Sequence, residues 1–81
     1  MPEKPLFCLG EAWVELGADT VPELAETFRV SVGGWGAAFC HAYVRAGGHA
    51  ALLSQLGADP FGRKAAAQLA ADGIDCTHLC F

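Results

Sequence analysis

SVGGWGAAFCHAYVRAGGHAALLSQLGADPFG, residues 31–62, reads as a glycine-rich turn, a helix, an apolar strand and a second capped helix in unbroken succession. Gly33 and Gly34 open the first helix. Residues 35–45 stay helix-compatible as far as the pair Gly47 and Gly48, where a positive φ is available to stop the helix. Ala37, Ala38, Cys40, Val44 and Ala46 leave few strongly polar positions, so the expectation is a mostly buried helix. Residues 50–56 form a short apolar run bounded by glycines, as a central parallel strand does. Asp59 then stands at an N-cap and Pro60 at the first helical position. Phe61, Ala65 and Leu69 repeat at helical spacing, and Gly73 followed by Ile74 suits a left-handed cap with its apolar contact. Helices flanking a short apolar strand predict an α/β fold built on a parallel sheet.

Toward the N-terminus, residues 6–16 read as one long strand. Leu6, Cys8, Gly10, Ala12, Val14 and Leu16 make one side apolar or small. On the other side Phe7 and Leu9 give way to Glu11, Trp13 and Glu15, so that face turns polar toward the C-terminal end, where open parallel sheets place ligands. Residues 17–20 are a turn, residues 21–26 are short and acidic, and residues 27–32 alternate as a second strand with Phe28, Val30 and Val32 on one face. Residues 17–32 are thus expected to leave the main sheet as a hairpin. Beyond Ile74 a further strand is expected to begin and to stop at Phe81, which predicts that residues 1–81 are the N-terminal segment of a larger domain, because a sheet this small would have open edges.

The composition excludes several classes of function. Nine acidic against five basic residues give a net charge of −4, with no basic field for a nucleic acid. No apolar run reaches membrane-spanning length, and Pro2 to Pro5 is not a secretory leader, so a cytoplasmic location is expected. Cys8 and Cys40 fall inside predicted elements, where a thiol acts as a small hydrophobe. Cys76, His78 and Cys80 could offer three zinc ligands, but a closed site needs a fourth, so no metal is expected. The run Gly33-Gly34-Trp35-Gly36 lacks the Lys-Ser/Thr of a P-loop, and Phe39 stands where a dinucleotide fingerprint needs its last glycine.

The ordered glycines at 33, 34, 47 and 57, with the run Leu56 to Gly62, GEAWVEL at residues 10–16 and DGID at residues 72–75, resemble the N-terminal signature of the ribokinase-like, or PfkB, carbohydrate kinases. The resemblance covers almost the whole chain. It implies a partial ribokinase-like α/β fold with a β-lid hairpin. The implied activity is that of an ATP-dependent kinase, with Mg, acting on a small-molecule sugar or sugar acid, and a homodimer through the lid strands. Glu15 lies where the family commonly has an Asp that binds sugar hydroxyls, with Trp13 beside it, and Gly33 and Gly34 match the bare turn that a sugar approaches. Trp13, Glu15, Gly33 and Gly34 are therefore the candidate substrate-binding residues, and no catalytic residue is assigned. Two positions depart from the pattern. Glu15 is one methylene longer, about 1.5 Å of reach, and is similar in this to 2-keto-3-deoxygluconate kinases. Ala38 replaces the sugar-binding Asn. The family's Gly-x-Gly-Asp base and nucleotide site have no counterpart here, so the chain alone is expected to be inactive. The other reading is a non-catalytic relative that binds a sugar or associates through its lid strands.

Overall fold

The computed structural model describes residues 5–81, which leaves the reading of residues 2–4 outside the description. Strand β1 (Leu6–Leu9) pairs in parallel with β4 (Ala50–Leu53), Leu6 opposite Ala50 and Leu9 opposite Leu53. Between them come an antiparallel hairpin, β2 (Trp13–Gly17) on β3 (Arg29–Gly33), and helix α1 (Trp35–Arg45). Helix α2 (Pro60–Ala71) follows β4. The chain then returns along the free edge of β4 through parallel bridges from Ala51 to Asp75 and from Gln55 to Cys80. This is the expected α/β arrangement of parallel sheet, flanking helices and a separate hairpin.

The expected strand over residues 6–16 is corrected to two strands in two different sheets. Its alternation is real on either side of the break, but residues 10–12 serve another purpose. The Glu11 carbonyl accepts from the Gly36 amide at 3.0 Å and the Ala37 amide at 3.3 Å, satisfying donors that the first turn of α1 leaves without helical partners. Gly34, the N-cap of α1, has no side chain to do this, so a strand-to-strand crossing replaces the usual polar cap. The crossing is tight. A Cβ on Gly10 would lie 2.8 Å from the Gly36 Cα, and one on Gly36 would lie 2.8 Å from the Glu11 nitrogen. The paired hairpin consequently reaches back to Trp13, ahead of the expected start near residue 17, and residues 22–24 of its long connection form a turn of 3₁₀ helix.

Both helix ends follow local chemistry. The Asp59 carboxylate accepts from the Gly62 amide at 2.8 Å, a cap that contributes about 1 kcal/mol. At the end of α2, Gly73 has φ +88°, its amide bonds the Ala70 carbonyl, and the Ile74 amide bonds that of Leu69. Ile74 and Leu69 then pack together in the core, the apolar contact that accompanies this motif. The same pair of bonds closes α1, from Gly47 to Val44 and from Gly48 to Tyr43.

The core is one layer between sheet and helices: Ala37 and Cys40 of α1, Ala50 and Leu52 of β4, Leu69 of α2, and Ile74. Helix α1 is less buried than its composition predicts. Only Gly36, Ala37 and Cys40 are buried, while Trp35 is 80% exposed and Phe39 points outward as well. Apolar composition alone does not decide which face finds a partner. Phe7 and Leu9, expected at the core end of their strand face, are also exposed, on the sheet surface opposite the helices.

Candidate functional site

The hairpin brings the sequence-predicted residues together on one face. Trp13 is paired with Gly33 and Glu15 with Ser31, so these four share the same side of the two-stranded ribbon. Val14, Leu16, Val30 and Val32 occupy the other side, where Val14 and Leu16 line an open hollow together with Phe61 of α2. The Trp13 indole Nε1 donates to Glu15 Oε2 at 2.9 Å, which fixes both side chains at the i, i+2 spacing of a strand. They lie directly over Gly33. A Cβ there would be 2.5 Å from Glu15 Oε2 and 2.7 Å from Trp13 Nε1.

Gly34 is required for a different reason. Its φ is +109°, and a Cβ would meet the Glu11 carbonyl oxygen at 2.6 Å and the Ala12 Cα at 2.8 Å. The bareness of both glycines is thus explained by the chain's own packing. Beside them Trp13, Gly34, Trp35 and Ala38 line an open hollow of about 260 Å³. Ala38 is exposed at this hollow and offers it only a methyl group. The sequence marks Trp35 only as the start of a helix. Its position directly after the Gly-Gly turn, where a helix N-terminus clears the core, was the available signal.

A second, larger cleft of about 400 Å³ lies on the far side of the hairpin, among Val30, Val32, Ala37, His41, Leu69 and Asp72. It touches none of the candidate residues. Two of the thiols are held in the protonated form by burial. Burial, then the neighbouring Cys8 thiol, pushes Cys40 up to about 11, so it stays protonated at neutral pH. Burial likewise raises Cys76, whose Sγ is directed at the Ile74 carbonyl at 3.4 Å. His78 instead stacks edge-on against Phe7 at 5.9 Å, and Cys80 is exposed.

Neither helix N-terminus fits a nucleotide phosphate. The Gly36 and Ala37 amides of α1 are taken by Glu11, and the Gly62 and Arg63 amides of α2 are taken by Asp59. Among the described residues no group of three or more His, Cys, Asp or Glu could hold a metal ion. The residues present therefore do not fit ATP or its Mg ion, and no chemical step is derived through them. Nor, among the described residues, is any helix long and apolar enough to cross a membrane.

What the face offers is a carboxylate held by an indole beside a bare glycine turn, a set that can accept from and pack against a polyhydroxylated ligand. The fold that carries this arrangement is a recognised one. The model of the pfkB family of carbohydrate kinases matches residues 4–80, and the chain belongs to that family. Among solved structures it is similar to a PfkB protein from Polaromonas sp. JS666, at 33% identity and TM-score 0.84, covering 98% of this chain and 27% of that one. It is also similar to a fructokinase from Vibrio cholerae O395, at 31% identity and TM-score 0.83, covering 95% and 25%. A 2-dehydro-3-deoxygluconokinase from Thermotoga maritima shares the fold at 22% identity and TM-score 0.86, covering 94% and 24%. No curated protein matches the chain. The chain spans about a quarter of the length of the solved structures it matches.

Proposed function

We propose that this chain is the sugar-holding part of an ATP-dependent carbohydrate kinase, in which Trp13, Glu15, Gly33 and Gly34 contact a sugar or sugar acid. The observation that carries the reading is the Trp13–Glu15 pair held over Gly33 on the inner strand pair of the hairpin. A carboxylate only accepts hydrogen bonds. With one oxygen engaged by the indole, Glu15 has its other oxygen free to accept from sugar hydroxyls, and the rigid indole keeps it from turning away. These residues position the acceptor; its hydroxyl proton and the phosphates are handled by groups this reading does not assign to residues 1–81, so the chain alone does not turn over.

The test uses the full reading frame that carries this chain. Glu15→Gln keeps the size of the side chain and removes its charge. The expected result is a KM for the sugar about tenfold higher or more, equivalent to the 1.4 kcal/mol of one charge-assisted hydrogen bond, with the KM for ATP unchanged. An unaltered sugar KM would sink the assignment. Ala38, which presents no polar group where the family has one, favours a second reading as a non-catalytic relative that binds sugar or dimerises through the hairpin. Absence of any phosphorylated sugar from the full reading frame, with a dimer by sedimentation, would select it.

A further inference from the structure

Three of the cysteines meet in the core. Cys40 of α1 is fully buried there, and Cys8 of β1 and Cys76 pack against the same cluster while remaining half-buried. The joint between β1 and α1 turns two of them toward each other. Gly10 and Gly36 let the two backbones touch, and the Cys8 Sγ lies 4.0 Å from the Gly36 carbonyl oxygen. In an α-helix that carbonyl accepts from the amide of residue 40, and the residue 40 side chain tilts back toward it. The arrangement is reciprocal. In the parallel ladder the Leu6 amide bonds the His49 carbonyl and the Gly10 amide that of Leu53, so the same step gives the Cys8 amide to Ala51. The Cys40 Sγ lies 4.0 Å from that Ala51 oxygen. Each sulfur thus faces the carbonyl that holds the other cysteine's main chain, and after burial Cys8 is the largest influence on the Cys40 proton, ahead of Cys76. Cys76 is turned elsewhere, its Sγ toward the Ile74 carbonyl at 3.4 Å and the Ala66 carbonyl of α2 at 3.8 Å.

We propose that Cys8 and Cys40 are a redox latch: exposed to hydrogen peroxide, they close to a disulfide that ties β1 to α1 beneath the root of the hairpin. Peroxide reaches the half-buried Cys8 first. One peroxide oxygen adds to its sulfur as a sulfenic acid, and the other leaves as water with the thiol proton. The Cys40 sulfur then attacks the Cys8 sulfur, the S–S bond forms, and the hydroxyl departs with the Cys40 proton as a second water. Because burial keeps Cys40 protonated at neutral pH, this second step is slow there. A dithiol reverses it by exchange. The bond closes where the two backbones are already in contact, two residues from Gly10, so it holds the joint that carries the hairpin.

The experiment exposes the folded product of the full reading frame to hydrogen peroxide, alkylates the remaining thiols and maps the tryptic peptides by mass. Cleavage at Arg29, Arg45 and Lys64 puts Cys8, Cys40 and Cys76 on separate peptides. The expected product is the Cys8 peptide joined to the Cys40 peptide, about 2 Da lighter than their sum. It should disappear with dithiothreitol and be absent from Cys8→Ala, whereas Cys76→Ala should still form it. In the linked protein the Gly36 and Ala37 amides, which bond to Glu11, should exchange with deuterium more slowly than in the reduced protein. Recovery of Cys8 and Cys40 only on separate peptides, or a link from Cys40 to Cys76 in place of the expected one, would overturn the proposal. A link that leaves those two amides exchanging at the reduced rate would overturn its action as a latch.

Discussion

The parallel unit and the hairpin are ordered in different ways. In the unit of β1, β4, α1 and α2, strand β4 is flanked on both edges and its Leu52 is fully buried beneath the helices. In the hairpin no strand residue is buried, and an ion pair there, Arg29 with Asp19 at 2.7 Å, is exposed at both partners and so contributes little. An isolated two-stranded ribbon is marginal in water. This one is held by its root, where Glu11 meets α1, and it lies beside α2. The core therefore supports a ribbon whose side chains stay at the surface.

Three measurements can break or refine that contrast. The largest effect is expected from Leu52→Ala, a loss of about 2–5 kcal/mol in urea unfolding, against about 1 kcal/mol or less for Val30→Ala in the hairpin. Equal losses would mean that the two regions share one core. Next is Gly36→Ala. In an ordinary helix this exchange stabilises by about 0.5–1 kcal/mol. Here the new methyl would press on the Glu11 backbone, so a destabilisation of about 1–3 kcal/mol is expected, with faster amide exchange along β2 and β3. A gain in stability would show that the hairpin root is not anchored at α1.

The smallest effect concerns the segment after α2, which meets the edge of β4 through two isolated bridges and not as a strand. The hydroxyl and then the amide of Thr77 hold the Asp75 carboxyl below its usual 3.8 through bonds of 2.6 and 2.9 Å. A carboxyl depressed by folding adds stability above its unfolded value, and that contribution disappears as the pH falls through the folded value. Thr77→Ala should move the Asp75 titration upward in a carbon-detected NMR titration and soften the acid limb of stability. An unmoved titration would show that the hydroxyl does not hold the carboxylate.

The helix limits were legible because they are written in local chemistry. Asp59, Pro60, Gly47 and Gly73 act within a few residues of themselves, and α1 spans the residues that the glycines bracketed. Strand pairing was legible only as potential. The alternation over residues 6–16 passes through Gly10 without interruption, and nothing nearby in sequence announces that Glu11 will be claimed by amides at 36 and 37. The exposure of Trp35, Phe39, Phe7 and Leu9 was hidden for a related reason, since hydrophobicity identifies what can be buried and not what is. Within the site, Trp13 and Glu15 could be placed side by side from strand periodicity. Their position over Gly33 depends on the register of a pairing partner.

The joint at Glu11 is written entirely in main-chain atoms. Its exposed side chain takes no part, so that letter of the sequence is free to drift through charge, size and polarity without loosening the hairpin. Gly10 and Gly36 have no such latitude, since each would strike the backbone of the segment it crosses on gaining one carbon. Variation in this architecture is thus channelled: the outward-facing side chains can change while the joint beneath them stays fixed.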